Sequence, residues 1–583
     1  MKFRPAYILL FILFAATLAL AGVDLDVGTK LAKPNPSGVD VRQYPAADDM
    51  ELGHIKWVLK LANQNIADFN NFQQLDDQGT SARRYEIAFS SYFLAMEQFH
   101  KFPAWQGPIA NAMDRLNQKM LEKTVWQYWA HESQGVTKFE PKMDRPYPSE
   151  KDPVKHRNIM YSAHVALMMN LYEMLYNDRK WDKPGSIVFK WNDSTRFAYD
   201  NQTLQEAMFL QFINNPVPGI ECEPNVIFPI CNEPALLSWK LYDKMHGSRY
   251  FAAAQPEFDR FFKTQFINPK THEIGAFYLV KQGWVFSNWN PVYGNKMDGL
   301  IQSMVATTGA NFNSATDNGW NSAFINVWNP KLVQELWPYM KKSVLKIMPD
   351  GSALLQKDSV FPDADYGFFV FAAAELGDEQ VKNGLMKTIE RDFAPVWGPD
   401  GSYHYPFIDA NKTVNLGSDD KKNADPSKPA APPSPPPVVS APCCLSPAEL
   451  SLLKRMDTMP QHSNVADRVI AMARAMPKNG FGKMFNEPFD AEHFSEPAIS
   501  DVDMSKVSVT RAIYDRSKKA LIVSAKLVPK EESGGFQIVN LNPAKSYQLY
   551  NSEAKPTTIS NSTKYLVSIS PKSSQDFVLK EGK

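Results

Sequence analysis

From about Glu51 to Phe393, apolar residues return every three or four positions, the period of a helix with one buried face. Residues 111–128 carry Met113, Leu116, Met120 and Val125 at that spacing, with Pro108 near the start. Residues 157–176 place Met160, His164, Leu167, Leu171 and Leu175 on one face. Pro234 reads as the opening of another helix, with Leu237, Leu241 and Met245 inward and Gly247 beyond its end. Further helical patterns fall at 257–266, 296–307, 331–346, 368–376 and 379–392, and resume at 447–459 and 465–476. Loops between them, such as 283–295 and 310–320, are rich in Asn, Pro, Gly and Trp. Many paired helices with functional loops at one end predict a mainly α chain built as an (α/α)6-type toroid. A helical solenoid would call for a repeat of fixed length, which the sequence lacks.

After about Asp503 the period changes. Residues 507–514, 520–527, 536–541, 546–550, 564–569 and 576–579 read as short strands separated by turns. They predict a small antiparallel, sandwich-like β-domain over 503–583. The Pro/Ser/Ala-rich stretch 418–442 reads as an extended insertion within the helical domain, because helix patterning continues after it. The helical, catalytic domain is thus expected over 22–502.

Residues 1–21 read as a signal peptide. Lys2 and Arg4 form the charged start, 7–18 the apolar run, and Ala19-Leu20-Ala21 a small-x-small cleavage site. The other reading, an uncleaved anchor, is disfavoured by the shortness of the run. No other stretch would span a bilayer, so the mature chain is expected without a membrane span, secreted or in the lumen of the secretory pathway. Triplets at Asn192, Asn201, Asn411 and Asn561 would fit a glycoprotein in a eukaryotic host. Lys plus Arg equals Asp plus Glu at 63 each, without a long basic run, which argues against nucleic acid or an anionic membrane surface as partner. The 13 Trp, 22 Tyr and 36 Phe suit a cavity lined with rings and a lipophilic small molecule.

Candidate chemistry centres on residues 219–234, GIECEPNVIFPICNEP, which hold Cys222 and Cys231, two of the four cysteines. They stand among prolines, carboxylates and asparagines, unlike cysteines that serve as small core hydrophobes. An oxidising lumen favours a disulfide. A metal site is weaker, because the spacing is not CxxC and no second ligand pair accompanies it. The third reading is a pair of acid/base or nucleophilic thiols beside Glu221, Glu223 and Glu233. Adjacent Cys443 and Cys444 cannot easily bridge each other and receive no catalytic role. His164 on its apolar stripe is either a satisfied core histidine or, facing a cavity, a proton relay. Asp68 is expected on an amphipathic helix, where a solvated carboxylate is commonplace. Asp76, Asp77, Asp363 and Asp365 are equally ambiguous, although paired carboxylates on such a toroid would suit an inverting glycosidase.

The ordered motifs of this region resemble the linalool dehydratase/isomerase family. They run Asn158-Ile159-Met160-Tyr161-x-x-His164, then Gly219-Ile220-x-Cys222-Glu223-Pro224, then Cys231-Asn232. Ser238-Trp239-x-x-Tyr242-Asp243-x-x-His246-Gly247 and Gly275-Ala276-Phe277-Tyr278-Leu279 continue the series, with a fainter match at 62–95. The resemblance implies an α/α toroid that dehydrates and isomerises a monoterpene allylic alcohol with no cofactor and no metal. It implies a site that includes residues near a subunit boundary, which leaves room for a homo-oligomer. By position it puts the two active cysteines on Cys222 and Cys231, the histidine on His164 and the aspartate on Asp68. Met160 and Phe228 become substrate contacts, joined in the pocket by Tyr161, Glu223 and Trp284. Where the family has a tyrosine six residues after the aspartate, this chain has Gln74.

Water loss from an allylic alcohol requires an acid at the hydroxyl and a base at a carbon-bound proton, inside a dry pocket. Asp68 and His164 with Cys222 would manage protons at the hydroxyl. Cys231 would deprotonate carbon or form a transient thioether. Two rival readings are a secreted carbohydrate-active enzyme with paired carboxylates and a non-catalytic secreted binding protein stapled by Cys222–Cys231.

Overall fold

The computed structural model describes residues 35–72, 82–105, 107–135, 146–287, 314–355, 362–405, 464–551, 555–571 and 576–582, with 362–365 and 464 described by backbone alone. The signal peptide, the helices expected at 296–307 and 447–459, the insertion at 418–442, and Gln74, Asp76, Asp77, Asn411, Cys443 and Cys444 lie outside the described residues.

Two kinds of helix alternate along the chain. Helices α1 (Asp49–Ala62), α3 (Pro108–Met120), α5 (Asn201–Asn214), α7 (Tyr250–Phe261), α9 (Pro330–Val344) and α11 (Glu379–Asp392) bury one stripe. In α9 that stripe is Leu332, Val333, Leu336, Trp337, Met340 and Val344. Between them lie α2 (Arg83–His100), α4 (Ile159–Tyr176), α6 (Pro229–His246), α8 (Ala315–Ile325), α10 (Pro362–Leu376) and α12 (Asn464–Ala475). These are buried nearly all round: every residue of α4 from Ile159 to Leu175 is inside. A helix with no solvent face must be enclosed by other elements.

The packing order supplies the enclosure. Helix α2 packs on α4, α4 on α6, α6 on α8, α8 on α10, α10 on α12, and α12 returns to α2. The amphipathic helices lie against this closed cycle, with α3 on α2 and α4, α7 on α6, α9 on α8 and α11 on α10. Gly319 shows how tightly it closes, since a Cβ there would lie 2.4 Å from the Phe368 carbonyl carbon of α10. A short helix, α13 (Gly480–Asn486), follows α12.

Short hairpins decorate the helices: β1 (Ile187–Lys190) with β2 (Arg196–Tyr199), β6 (Leu345–Ile347) with β7 (Ala353–Leu355), and β8 (Val396–Trp397) with β9 (Tyr403–His404). A three-stranded sheet joins β3 (Val226–Ile227), β4 (Phe277–Leu279) and β5 (Trp284–Phe286). The C-terminal region is antiparallel throughout. It comprises β10 (Ala498–Ser500), β11 (Val507–Asp515), β12 (Ala520–Leu527), β13 (Gly534–Val539), β14 (Ser546–Tyr550), β15 (Thr557–Ser560), β16 (Tyr565–Ile569) and β17 (Asp576–Glu581). One sheet has the order β11-β12-β17-β14-β15 and the other β10-β13-β16. Backbone bonds from Ala512 to Lys101 and from Ile499 to Ala104 tie both sheets to the segment after α2.

Several expectations are corrected. Helix α6 opens at Pro229, whose missing N–H is tolerated in a first turn, and Pro234 lies inside it, so Cys231 is helical rather than in a loop. The helix expected at 257–266 is α7, starting at Tyr250. The pattern at 111–128 breaks after Met120, and the chain continues as two single turns. Residues 315–320, expected as loop, are helix because small residues let α8 sit between α6 and α10. Trp284, also expected in a loop, stands on β5, while β10 and β15 were not foreseen. Asn201 is fully buried, its amide donating to Asn170 Oδ1 at 2.8 Å, so it offers no exposed glycan acceptor. Asn192 and Asn561 are exposed.

Candidate active site

The segment 219–228 crosses from α5 to α6 as a strap held at nearly every residue. Asn158, in a left-handed conformation (φ 57°) at the start of α4, donates its backbone N–H to Cys222 O at 3.1 Å. The next amide, Ile159 N–H, bonds Glu221 O. Tyr128 Oη donates to Asn158 Oδ1 at 2.6 Å and so secures that corner. Cys222 N–H bonds Val226 O at 2.8 Å, closing a tight turn through Asn225 (φ 76°). Asn232 of α6 grips the strap from the other side, accepting from Ile220 N–H at 2.7 Å and donating to Ile220 O and Phe228 O. Glu221 is paired with Arg157 Nε at 2.6 Å. Gly219 (φ 153°) is required where the strap enters, since a Cβ there would lie 2.9 Å from Ile227 Cγ2.

This frame places Cys222 beside Cys231, in the first turn of α6, with both sulfurs present as free thiols and Cys231 close enough to raise the Cys222 thiol. The disulfide expectation is therefore not met. Across from them stands Tyr85 of α2, near enough to both thiols for their charge to act on its hydroxyl. The Tyr85 ring meets the His164 imidazole edge-on at 5.2 Å. His164 Nδ1 bonds Tyr92 Oη at 2.7 Å, while its Nε2 is buried without a partner among the described residues. Phe89 and Trp320 complete the ring of aromatics, each 6.0 Å from His164. The Arg84 guanidinium covers Tyr85 at 4.8 Å and Tyr128 at 4.5 Å, and donates to Met160 Sδ at 3.7 Å.

Burial sets the protonation states. It raises the Cys222 thiol well above its ordinary value, with Cys231 adding to the shift and the Phe228 N–H opposing it. Burial followed by Cys231 raises Tyr85, against the pull of Arg84. Burial alone raises Tyr92. His164 is pushed down to about 3, first by burial and then by Arg84. Near neutrality the site therefore offers a thiol, two phenols and an uncharged imidazole beside one fixed cation. Cys231, Met160 and Tyr85 keep 4–5% of their surface accessible, whereas Cys222 and His164 keep none. The first three thus keep a little accessible surface that the other two lack.

Of the residues singled out in the sequence, His164, Cys222, Cys231, Met160, Glu223 and Phe228 converge here, Glu223 through its field on Cys222. Phe228 reaches into a satellite apolar cluster with Phe277, Phe286 and Trp284, built on β4 and β5. Two residues fall elsewhere. Tyr161 is core: its hydroxyl donates to Met120 O at 2.5 Å and its ring packs on Phe189. Asp68 is not helical, because α1 ends at Ala62. Its carboxylate accepts from Asn70 N–H, its carbonyl from Lys119 Nζ, and no bond joins it to the His164 cluster among the described residues. The sequence reading missed Tyr85, Tyr92 and Arg84. The signal was there in Tyr85, Phe89 and Tyr92, spaced four and three apart as rings along one helix face.

Two other features are separate from this cluster. A cavity of about 830 Å³ is lined by Trp129, Tyr147, Arg157, Tyr199, Gln211 and Glu221 among others, and includes none of Tyr85, Met160, His164, Cys222 and Cys231. Glu173, Asp182 and His246 bring ligand-type atoms within 4.8 Å of one another at the far ends of α4 and α6. Arg179 Nε lies 3.3 Å from Glu173 and Asn201 donates to the same carboxylate, so these residues form an ion-pair network. Among the described residues no helix is long and apolar enough to cross a membrane.

The model of the linalool dehydratase/isomerase family matches residues 84–305 and 294–411, more than half of the chain and all of the cluster from Arg84 to Trp320. The chain belongs to the linalool dehydratase/isomerase family.

Proposed function

We propose that this protein is a cofactor-independent lyase/isomerase acting on an allylic isoprenoid alcohol, and that its closed cycle of helices is the (α/α)6 toroid holding that site. The observation that carries this reading is the meeting of two free thiols, a phenol and an uncharged imidazole within the family-matched region. Cys222 and Tyr85 stay protonated near neutrality, as acids at a leaving hydroxyl must. His164 stays unprotonated and, oriented by Tyr92, can accept a proton at Nε2.

The nearby cation Arg84 shapes the path. Its field disfavours a free allylic cation, although the aromatic faces oppose that effect. Capture by Cys231 resolves the conflict. The C–O bond breaks as the hydroxyl takes a proton from Cys222 or Tyr85 and leaves as water, and the Cys231 sulfur bonds carbon as its own proton passes to His164 Nε2. Loss of a neighbouring C–H proton to the deprotonated acid then leaves the alkene and expels Cys231 as thiolate, which takes its proton back from His164. Return of water at the other allylic carbon gives the isomer.

Incubation of the purified protein with linalool, analysed by gas chromatography, tests the reading. A dehydrated hydrocarbon or a transposed primary alcohol, lost in Cys231→Ala and in Tyr85→Phe, is the expected result. Unchanged linalool at every protein concentration would overturn it for this substrate class. Secretion rests on residues 1–21 alone. Export with a new N-terminus near Gly22 is expected on sequencing, and retention of Met1 would refute it.

A further inference from the structure

The cavity of about 830 Å³ has the size of a small-molecule site, for which about 300–1,000 Å³ is usual. Trp129 opens the second single turn after α3 and lines this cavity. It is 1% exposed, and its Nε1 is buried without a hydrogen-bond partner among the described residues. A buried indole N–H ordinarily finds an acceptor. In this lining, Trp129 alone carries a buried side-chain donor that is unmet. Most other polar groups of the wall are engaged by the protein itself. Arg157 Nε donates to Glu221 at 2.6 Å and Lys155 Nζ lies 3.7 Å from Glu150, so the charges cancel in pairs. Tyr199 Oη donates to Asp152 Oδ2 at 2.7 Å, Tyr147 Oη meets Lys281 Nζ, and Gln211 Nε2 donates to Val154 O at 2.9 Å. His156 and Asn214 are exposed to water.

We infer that this cavity is a second binding site, one for a neutral, lipophilic molecule with a single acceptor oxygen, such as an isoprenoid alcohol. The paired charges leave nothing for an ion to neutralise. A sugar would bury several hydroxyls against groups that are already engaged, at a cost for each, whereas one oxygen satisfies the one unmet N–H. The remaining wall is apolar: Ala207 and Leu210 of α5, Pro148, and Ile220 of the strap. Leu210 is 53% exposed, so an apolar occupant gains by covering it. The wall includes neither Cys222 nor Cys231, and the site therefore binds its ligand without the thiol chemistry. It nevertheless shares the strap with the reaction site. Ile220 and Glu221 line the cavity, and a molecule held there touches the two residues that precede Cys222. The inference stands on this lining and needs no catalysis at the thiols.

Titration calorimetry of the full chain with 3,7-dimethyloctan-1-ol reads binding without turnover, because a saturated alcohol forms no allylic cation. Trp129→Phe keeps the ring and removes the donor, and should weaken one binding event about 10-fold. Ala207→Trp fills the cavity and should abolish the same event. Binding that is equal in the wild type and both variants, or no binding at all, would overturn the proposal. Binding of methyl β-glucoside in place of the alcohol would overturn the ligand class. If Ala207→Trp does not fold, Trp129→Phe carries the test alone. Turnover of linalool is measured separately. An active protein without the Trp129-dependent event loses this inference only, and an inactive protein that keeps the event loses only the reaction assigned to the thiols.

Discussion

Tyr92 Oη and His164 Nδ1 lie 2.7 Å apart on neighbouring inner helices, and neither residue has any solvent-accessible surface. That one bond sets which imidazole nitrogen is committed and leaves Nε2 buried and without a partner among the described residues, inside the ring of Tyr85, Phe89 and Trp320. Positioning of this kind acts on the chemical step more than on binding.

Tyr92→Phe keeps the ring and removes the bond. It leaves Nδ1 without a partner, which costs about 1–3 kcal/mol of stability. Turnover of an allylic alcohol should fall at least about 10-fold with KM nearly unchanged. Urea unfolding and steady-state kinetics check the two effects separately, and unaltered kcat would show that His164 does not depend on this bond.

The sequence revealed this site unevenly, for physical reasons. His164, Cys222 and Cys231 were legible because rare side chains at fixed spacing survive any error in element boundaries. Tyr85 and Tyr92 were not, because a ring on a helix reads equally well as core until the opposite wall is known. The helix expected at Asp68 is absent because the hydrogen bonds that end α1 at Ala62 leave no mark in hydrophobic pattern. The outer helices α9 and α11 were read well from their stripes, whereas α3 was carried past Met120, α7 was started late and α5 was not singled out. Helix α8 was lost because its faces are all buried and its packing depends on small residues, which resemble a loop in composition.

Buried histidines predict how stability depends on pH. His54, His100 and His493 are pushed down to about 4 and His164 to about 3, each mainly by burial, from an ordinary 6.5. Below pH 6.5 the unfolded chain binds protons that the folded chain refuses, so stability falls as pH drops from 6.5 towards 4. Glu97 and Glu375, raised by burial to about 8 and about 7, act in the opposite sense. They ionise in the unfolded chain above about 4.5 and erode stability as pH rises towards 7–8. Unfolding free energies of wild type and His164→Gln should therefore differ in slope by about 1.4 kcal/mol per pH unit below pH 5.5. Parallel profiles would mean that His164 titrates alike in both states.

The closed helix cycle can be tested at its tightest seam. Gly319→Ala drives a Cβ against the backbone of Phe368, where no side chain can turn aside. Overpacking of this kind costs about 1–3 kcal/mol, read as a lower urea midpoint with unchanged slope. Because α8 also carries Trp320 against His164, activity should fall with it. A neutral Gly319→Ala would mean that α8 and α10 are further apart than described.

The strap is where stability and chemistry meet. Asn232 accepts from Ile220 N–H at 2.7 Å and donates to Ile220 O at 3.0 Å and Phe228 O at 2.9 Å. These bonds hold both ends of the turn that carries Cys222. Asn232→Ala removes all three and should cost about 2–3 kcal/mol, since buried partners are left unmet. The greater effect is expected on the thiol. In the wild type Cys222 is sealed and protonated, so alkylation under native, non-reducing conditions should be slow and Cys231, which keeps 5% of its surface accessible, should react first. Loosening the strap should raise the Cys222 rate at least about 10-fold while lowering turnover. Peptide mapping after timed alkylation resolves the two cysteines. Equal rates in wild type and variant would show that Asn232 is not what closes the site, and a native Cys222–Cys231 crosslink would remove the two-thiol chemistry altogether.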